Sequence, residues 1–200
     1  MVRLILVRHA LTIDNEKSRL SGHIDSILSD EGENQVRKLN KYLEKLEIDK
    51  IYATTSKRTK DTVSYLANIN NIEIIEKDTL KEISFGDFEG LTFEYIKNNH
   101  QDEFQNMIDQ GYEYKYPNGE SLIESYNRVV REINDIILES ENKNVLICSH
   151  GGTIRNIVSY LISNSYEYHW NFKIDNASVS MIEIENKFAV ISMINNKNFI

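Results

Sequence analysis

A chain of 200 residues with 40% hydrophobic content is long enough to bury a substantial core and fits a single α/β domain. Its net charge of -8 and pI near 5.2 argue against general polyanion binding, and so against nucleic acid as a partner. The lone cysteine, Cys148, excludes an intrachain disulfide and a cysteine-rich metal site.

The first apolar run, Leu4-Ile5-Leu6-Val7, ends in Arg8-His9. This is too short and too soon interrupted for a signal peptide or a membrane span, so the expected location is the cytoplasm, with no membrane partner. A short apolar run bounded by polar residues suits a strand buried on both faces, whose C-terminal end lies where α/β proteins bind ligands. Residues 10–28 read as irregular. Ser29 then reads as an N-cap, with Gly32 in the first turn and Val36, Leu39, Leu43 and Leu46 at helical spacing over residues 30–46. A short strand at Ile51-Tyr52-Ala53 precedes a helix over 57–69, and Ile72–Ile75 is a third strand.

The glycines in Leu80-Lys81-Glu82-Ile83-Ser84-Phe85-Gly86-Asp87-Phe88-Glu89-Gly90 indicate a turning loop. Residues 92–116 are polar and aromatic, partly helical, and are expected to form a lid or substrate-specificity segment. Pro117-Asn118-Gly119-Glu120-Ser121 turns the chain into a helix reaching about residue 139, with Val129, Ile133, Ile136 and Ile137 inward. A second fully apolar strand, Val145–Cys148, also ends in a histidine, as Ser149-His150-Gly151-Gly152, and a helix follows. Ser178–Ile184 and Phe188–Ile194 read as an antiparallel hairpin around Asn186-Lys187. Strands alternating with helices imply a three-layer α/β/α fold with a mostly parallel central sheet and this C-terminal hairpin.

Two apolar strands ending in His9 and His150 place two imidazoles on one rim of a parallel sheet. Gly151 opens a helix, whose first N–H groups bind anions. Arg8 and Arg58 add planar guanidinium groups suited to phosphate. Arg8-His9 with Thr12 and Asn15 resembles the Arg-His-Gly-x-Thr-x-x-Asn signature of the histidine phosphatase, or phosphoglycerate-mutase-like, superfamily. Ser56-Lys57-Arg58 with Thr62, Leu80-Lys81-Glu82 with Phe85-Gly86 and Glu89-Gly90, Pro117–Ser121, and Ser149-His150-Gly151 resemble its further blocks, in the same order. Two departures stand out. Ala10 replaces the usual glycine, which is tolerable unless that residue needs positive φ. Thr54-Thr55-Ser56-Lys57 replaces a Ser-Pro-Leu run, a change expected not to touch the ionic residues.

The resemblance implies a phosphomonoesterase acting through a phosphohistidine on a small phosphorylated metabolite, without metal or cofactor. His9 is then the phosphoryl acceptor, and Arg8, Arg58 and His150 stabilise the phosphoryl oxygens. Asn15 and the Gly151 amide are neutral donors, and Ser21 and Gly22 are further substrate contacts. Glu82 is the implied acid and base, with a pKa raised by partial burial and by the anionic substrate; Asp87 and Glu89 stand near it as substitutes. The short motif version resembles α-ribazole phosphatase, and equally phosphoserine or broad-specificity phosphatases. A phosphoglycerate mutase and a non-catalytic phospho-ligand-binding member are the alternatives. The stretch after Glu82 holds no basic residue to grip a substrate carboxylate, which favours the phosphatase. His23 reads as a loop histidine near or away from substrate, His169-Trp170 as core or an oligomer contact, and Tyr112, Tyr114 and Tyr116 as a patch packed on the sheet or lining the site mouth. Monomer and homodimer are both open.

Overall fold

The opening apolar run forms β1 (Val2–Arg8), and its side chains alternate between two faces as strand geometry requires. Leu4 and Leu6 enter one buried cluster, Ile5 and Val7 the other. The computed structural model describes residues 1–200. In it β1 is joined by β2 (Lys50–Ala53), β3 (Ile74–Glu76), β4 (Asn144–Ser149), β5 (Val179–Glu185) and β6 (Phe188–Asn196). The sheet order is β3-β2-β4-β1-β5-β6. The first four strands are parallel, and β5 and β6 form an antiparallel hairpin paired to β1.

Seven α-helices accompany the sheet: α1 (Ile13–Glu16), α2 (Asp30–Leu43), α3 (Lys57–Asn70), α4 (Phe93–Asn99), α5 (Gln101–Gln110), α6 (Leu122–Leu138) and α7 (Gly151–Ser163). Leu39 and Leu43 of α2 with Val63 and Leu66 of α3 cover the face of Ile5 and Val7. Val129, Ile133 and Ile136 of α6 with Ile154, Ile157 and Val158 of α7 cover the opposite face. This is the three-layer α/β/α arrangement expected from the alternation of strands and helices. No helix is long and apolar enough to cross a membrane.

The differences from the sequence reading are local. Residues 10–28 are not wholly irregular: Thr12 and Asn15 close a capping box on α1, each side chain bonding the other's backbone N–H. The second helix stops at Leu43, and Leu46 reaches the core from a turn instead. The third strand runs from Ile74 to Glu76, two residues later than Ile72. At the hairpin tip, Asn186 and Lys187 both take positive φ (51° and 66°), which gives the turn the twist that two antiparallel strands need.

One register decides the rest. β1 and β4 are neighbours, with Arg8 opposite Ser149, and the His9 N–H donates to Ser149 O at 2.9 Å. His9 and His150 therefore leave adjacent strands at the same level. Behind them, α2 packs against the loop that follows His9. Ser29 N donates to Leu11 O, Gln35 Oε1 accepts from Leu11 N, and a Cβ built on Gly32 stands only 2.0 Å from Leu11 O. A Gly32→Ala change, which would stabilise an exposed helix interior by about 1 kcal/mol, is expected instead to destabilise by about 1–3 kcal/mol through overpacking. Thermal unfolding tests it: a lowered melting temperature is expected, and a raised one contradicts the packing described.

Candidate active site

His9 is buried, and its Nδ1 faces Ala10 O at 2.8 Å. A carbonyl only accepts, so Nδ1 carries the proton and Nε2 keeps its lone pair. Burial, reinforced by the charges of Arg58 and Arg8, holds this imidazole well below its ordinary value, so the ring is neutral at pH 7. Ala10 does not take positive φ; it is buried in the core, with its N–H on Thr62 Oγ1 at 3.0 Å. The methyl that replaces the expected glycine hydrogen therefore carries no backbone strain.

His150 stands beside it, with ring centroids 5.2 Å apart and planes at 62°. Arg58 Nε donates to His150 Nδ1 at 3.3 Å, which leaves the histidine proton on Nε2, 3.1 Å from Thr54 Oγ1. Burial and the Arg58 charge keep this ring neutral as well. Thr54, set aside in the sequence reading as remote from the ionic residues, thus holds one of them directly.

Arg58 is 1% exposed, yet no carboxylate pairs with it. Its Nη1 donates to Ile24 O at 2.8 Å and its Nη2 to Ser21 O and Gly22 O at 3.1 and 2.7 Å. Ser21 and Gly22 therefore meet the site through their carbonyls, which aim the guanidinium. Their donors are engaged elsewhere: Ser21 Oγ donates to Asp14 and Gly22 N to Glu89. Arg8 Nη1 donates to Ile174 O at 2.7 Å, while its Nε is buried without any partner. A buried donor left open in this way marks where an acceptor belongs. Asn15 Oδ1 accepts from Thr12 N and from Asn176 Nδ2, so its own amide nitrogen remains to donate.

Glu82 rests on the start of α7, which begins right after His150. Its carboxylate accepts from Gly152 N at 2.9 Å and Thr153 N at 3.2 Å, donors that a helix start leaves unpaired. A Cβ on Gly152 would lie 2.4 Å from Glu82 Oε1, so only glycine permits this approach. Gly151 backs onto the Arg8 guanidinium. Of the two substitute acids, Glu89 is consumed by the N–H groups of Gly22, His23 and Phe85. Asp87 is exposed and bonded to Asn118.

Arg8, Glu82, Gly151 and Gly152 line a cavity of about 720 Å³, whereas His9, Arg58 and His150 lie outside its lining. Its walls include Phe85, Phe93, Tyr112, Tyr114 and Tyr116, so the segment 92–116 forms part of the enclosure. His169 and Trp170 line it too. His23 Nε2 donates to Glu82 O at 3.1 Å and does not line the cavity.

Several residues that the sequence did not single out organise this site. Arg128 grips both oxygens of Glu120 at 2.9 and 2.7 Å and also donates to the carbonyls of Thr79, Lys81 and Glu82. Glu120 in turn accepts from Ser84 N. The Pro117–Ser121 turn thereby fixes the loop that carries Glu82. The only signal in sequence was the block itself, together with the Ser121/Glu124 capping box that starts α6. Arg155 also enters the cavity wall, so a basic residue does accompany the acid loop, supplied by α7 and not by the loop itself.

Residues 4–197 match the histidine phosphatase superfamily (branch 1). Phosphoserine phosphatase 1 of Hydrogenobacter thermophilus is 32% identical over 195 residues, covering 98% of this chain and 92% of that protein. The adenosylcobalamin/α-ribazole phosphatase of Escherichia coli is 26% identical over 98% of this chain and 97% of its own length. The crystal structure of the α-ribazole phosphatase from Shigella flexneri superposes with a TM-score of 0.92 at 26% identity, covering 97% of this chain and 96% of that one. With the family's blocks gathered around His9 and His150, the chain belongs to the histidine phosphatase superfamily, as one of its phosphatases.

Proposed function

We propose that the protein hydrolyses a phosphomonoester of a small metabolite through a phosphohistidine at His9, with no metal. The observation that carries this reading is a neutral imidazole pinned through Nδ1, with Nε2 free, between guanidinium groups that have no carboxylate partner. In the first half, Nε2 forms a bond to phosphorus as the ester oxygen departs, and Glu82 gives that oxygen a proton. In the second half, Glu82 takes a proton from water, the water oxygen bonds to phosphorus, and the N–P bond breaks to free phosphate and His9. Arg8 Nε, the Asn15 amide and the Gly151 N–H are donors suited to the phosphoryl oxygens, and Arg58 and His150 add fixed positive charge and a further hydrogen-bonding ring. The part of the ester beyond phosphorus occupies the aromatic cavity, where residues 92–116 act as the specificity segment. The similarity to phosphoserine and α-ribazole phosphatases supports a small metabolite without choosing between those two chemistries.

Three measurements test this reading. Hydrolysis of p-nitrophenyl phosphate should survive excess chelator and fall by about 10³-fold or more in His9→Ala; equal rates in the two proteins overturn the nucleophile assignment. Supplied with 3-phosphoglycerate, the enzyme should release phosphate faster than it forms 2-phosphoglycerate; faster isomer formation identifies a mutase.

The third is pH dependence. His9 and His150 are held well below the ordinary 6.5, and burial lowers His169 to about 3. Unfolded imidazoles take protons near 6.5 that the folded ones refuse, so the unfolded state gains as pH falls through that value. Stability should drop by up to about 1.4 kcal/mol per pH unit for each such histidine. Urea unfolding at pH 7.5 and 5.5, above the range where carboxylates titrate, should show a lower midpoint at 5.5, and an unchanged midpoint contradicts neutral burial of these rings.

A further inference from the structure

The cavity holds a second guanidinium that the hydrolysis itself leaves idle. Arg155 lies one helical turn beyond Gly151 on α7, so the two share a face of that helix. Its Nε donates to Phe172 O at 2.9 Å, and its Cζ stands 5.3 Å from the centre of the Trp170 ring. The carbonyl and the ring fix the guanidinium plane, and both Nη groups remain without a partner in the chain. Arg8 is held by its Nη1 on Ile174 O, two residues along the same segment. Two like charges thus line one cavity, each anchored by a neutral carbonyl and neither met by a carboxylate, in a protein of net charge -8. Glu82, the one carboxylate in that lining, offsets part of the Arg8 charge but is itself held by the amides of α7, and a ligand that brings negative charge is favoured by both guanidinium groups.

We propose that Arg155 binds a carboxylate of the substrate, which is therefore the phosphomonoester of a small hydroxy or amino acid. This rests on the phosphatase reading above. A fork of two free Nη donors matches the two oxygens of a carboxylate, whereas a second phosphoryl group would leave an oxygen and part of its charge unmatched. The surroundings agree with a single further charge. His169, beside Trp170, places Nδ1 2.7 Å from Asn156 Oδ1 and is neutral, so it adds no third cation. Its Nε2 is left as an acceptor for a hydroxyl or ammonium group on the carbon next to the carboxylate.

Matched ester pairs that differ chiefly in the carboxylate test this: O-phosphoserine against phosphoethanolamine, and 3-phosphoglycerate against glycerol 3-phosphate. Wild type should favour the carboxylated member of each pair by about 10- to 100-fold in kcat/KM, the range of one charge-assisted pair. In Arg155→Met that ratio should fall toward one, mainly through KM, and Arg155→Lys should restore part of it. Calorimetric binding of phosphoserine and phosphoethanolamine to His9→Ala, with and without Arg155→Met, reads the same preference without turnover. A ratio unchanged in Arg155→Met overturns the proposal. So does wild-type hydrolysis of p-nitrophenyl phosphate with no preference within either pair, and that result leaves the phosphatase reading intact. An Arg155-dependent preference for fructose 1,6-bisphosphate over fructose 6-phosphate, with none for carboxylates, overturns it in favour of a second phosphate. Failure to hydrolyse any ester, p-nitrophenyl phosphate included, overturns the phosphatase reading itself.

Discussion

The site depends on cationic side chains being anchored by carbonyl oxygens and not by carboxylates. Arg58 meets the carbonyls of Ser21, Gly22 and Ile24, and Arg8 meets that of Ile174. A carbonyl orients a guanidinium without cancelling its charge, so the field in the pocket stays positive and aimed. Had the same arginines been paired with Asp or Glu, an incoming phosphate would have to displace or share a counter-ion. The acidic residues nearby are engaged by other groups instead: Glu89 gathers backbone N–H groups from two loops, and Asp14 takes the Ser21 hydroxyl. Burial, reinforced by the same positive charges, keeps the two histidines unprotonated.

The acid loop is held by a different device. Glu82 is fixed at its side chain by the first amides of α7 and at its backbone by Arg128 and His23. Arg128 is itself bonded to Glu120, so the loop is tied to both α6 and α7. His9 and Glu82 thereby share one frame, because His9 leaves β1 beside β4, and β4 runs through His150 at the N-cap position into the helix on which Glu82 rests.

Much of this was legible in the chain. The apolar runs that end in His9 and His150 announced two buried strands with polar ends, and the period of Val129, Ile133 and Ile136 gave the helix that covers them. What remained hidden shares a physical cause. Thr54, Arg128 and Arg155 act through partners set by tertiary folding: a ring nitrogen, loop carbonyls and the carbonyl of Phe172. A carbonyl has no letter in the sequence, so an arginine bonded to one reads like any solvated arginine. The cavity wall was hidden for a related reason. Tyr112, Tyr114 and Tyr116 stand at every second residue, a spacing that fits packing as well as lining, and only the position of α5 against the loop of Glu82 decides it.

The β1–β4 register has a consequence for how the chain acquires its structure. β1 is made first, yet both of its sheet neighbours, β4 and β5, come from the last third of the sequence. During synthesis that strand waits, its apolar middle unpaired on both edges, while more than a hundred residues emerge. Contacts of such long sequence separation form slowly and leave sticky intermediates exposed. The charged residues Arg3 and Arg8 disfavour pairing of that waiting strand with other chains, so Arg8 has a use during folding before the cavity it lines exists.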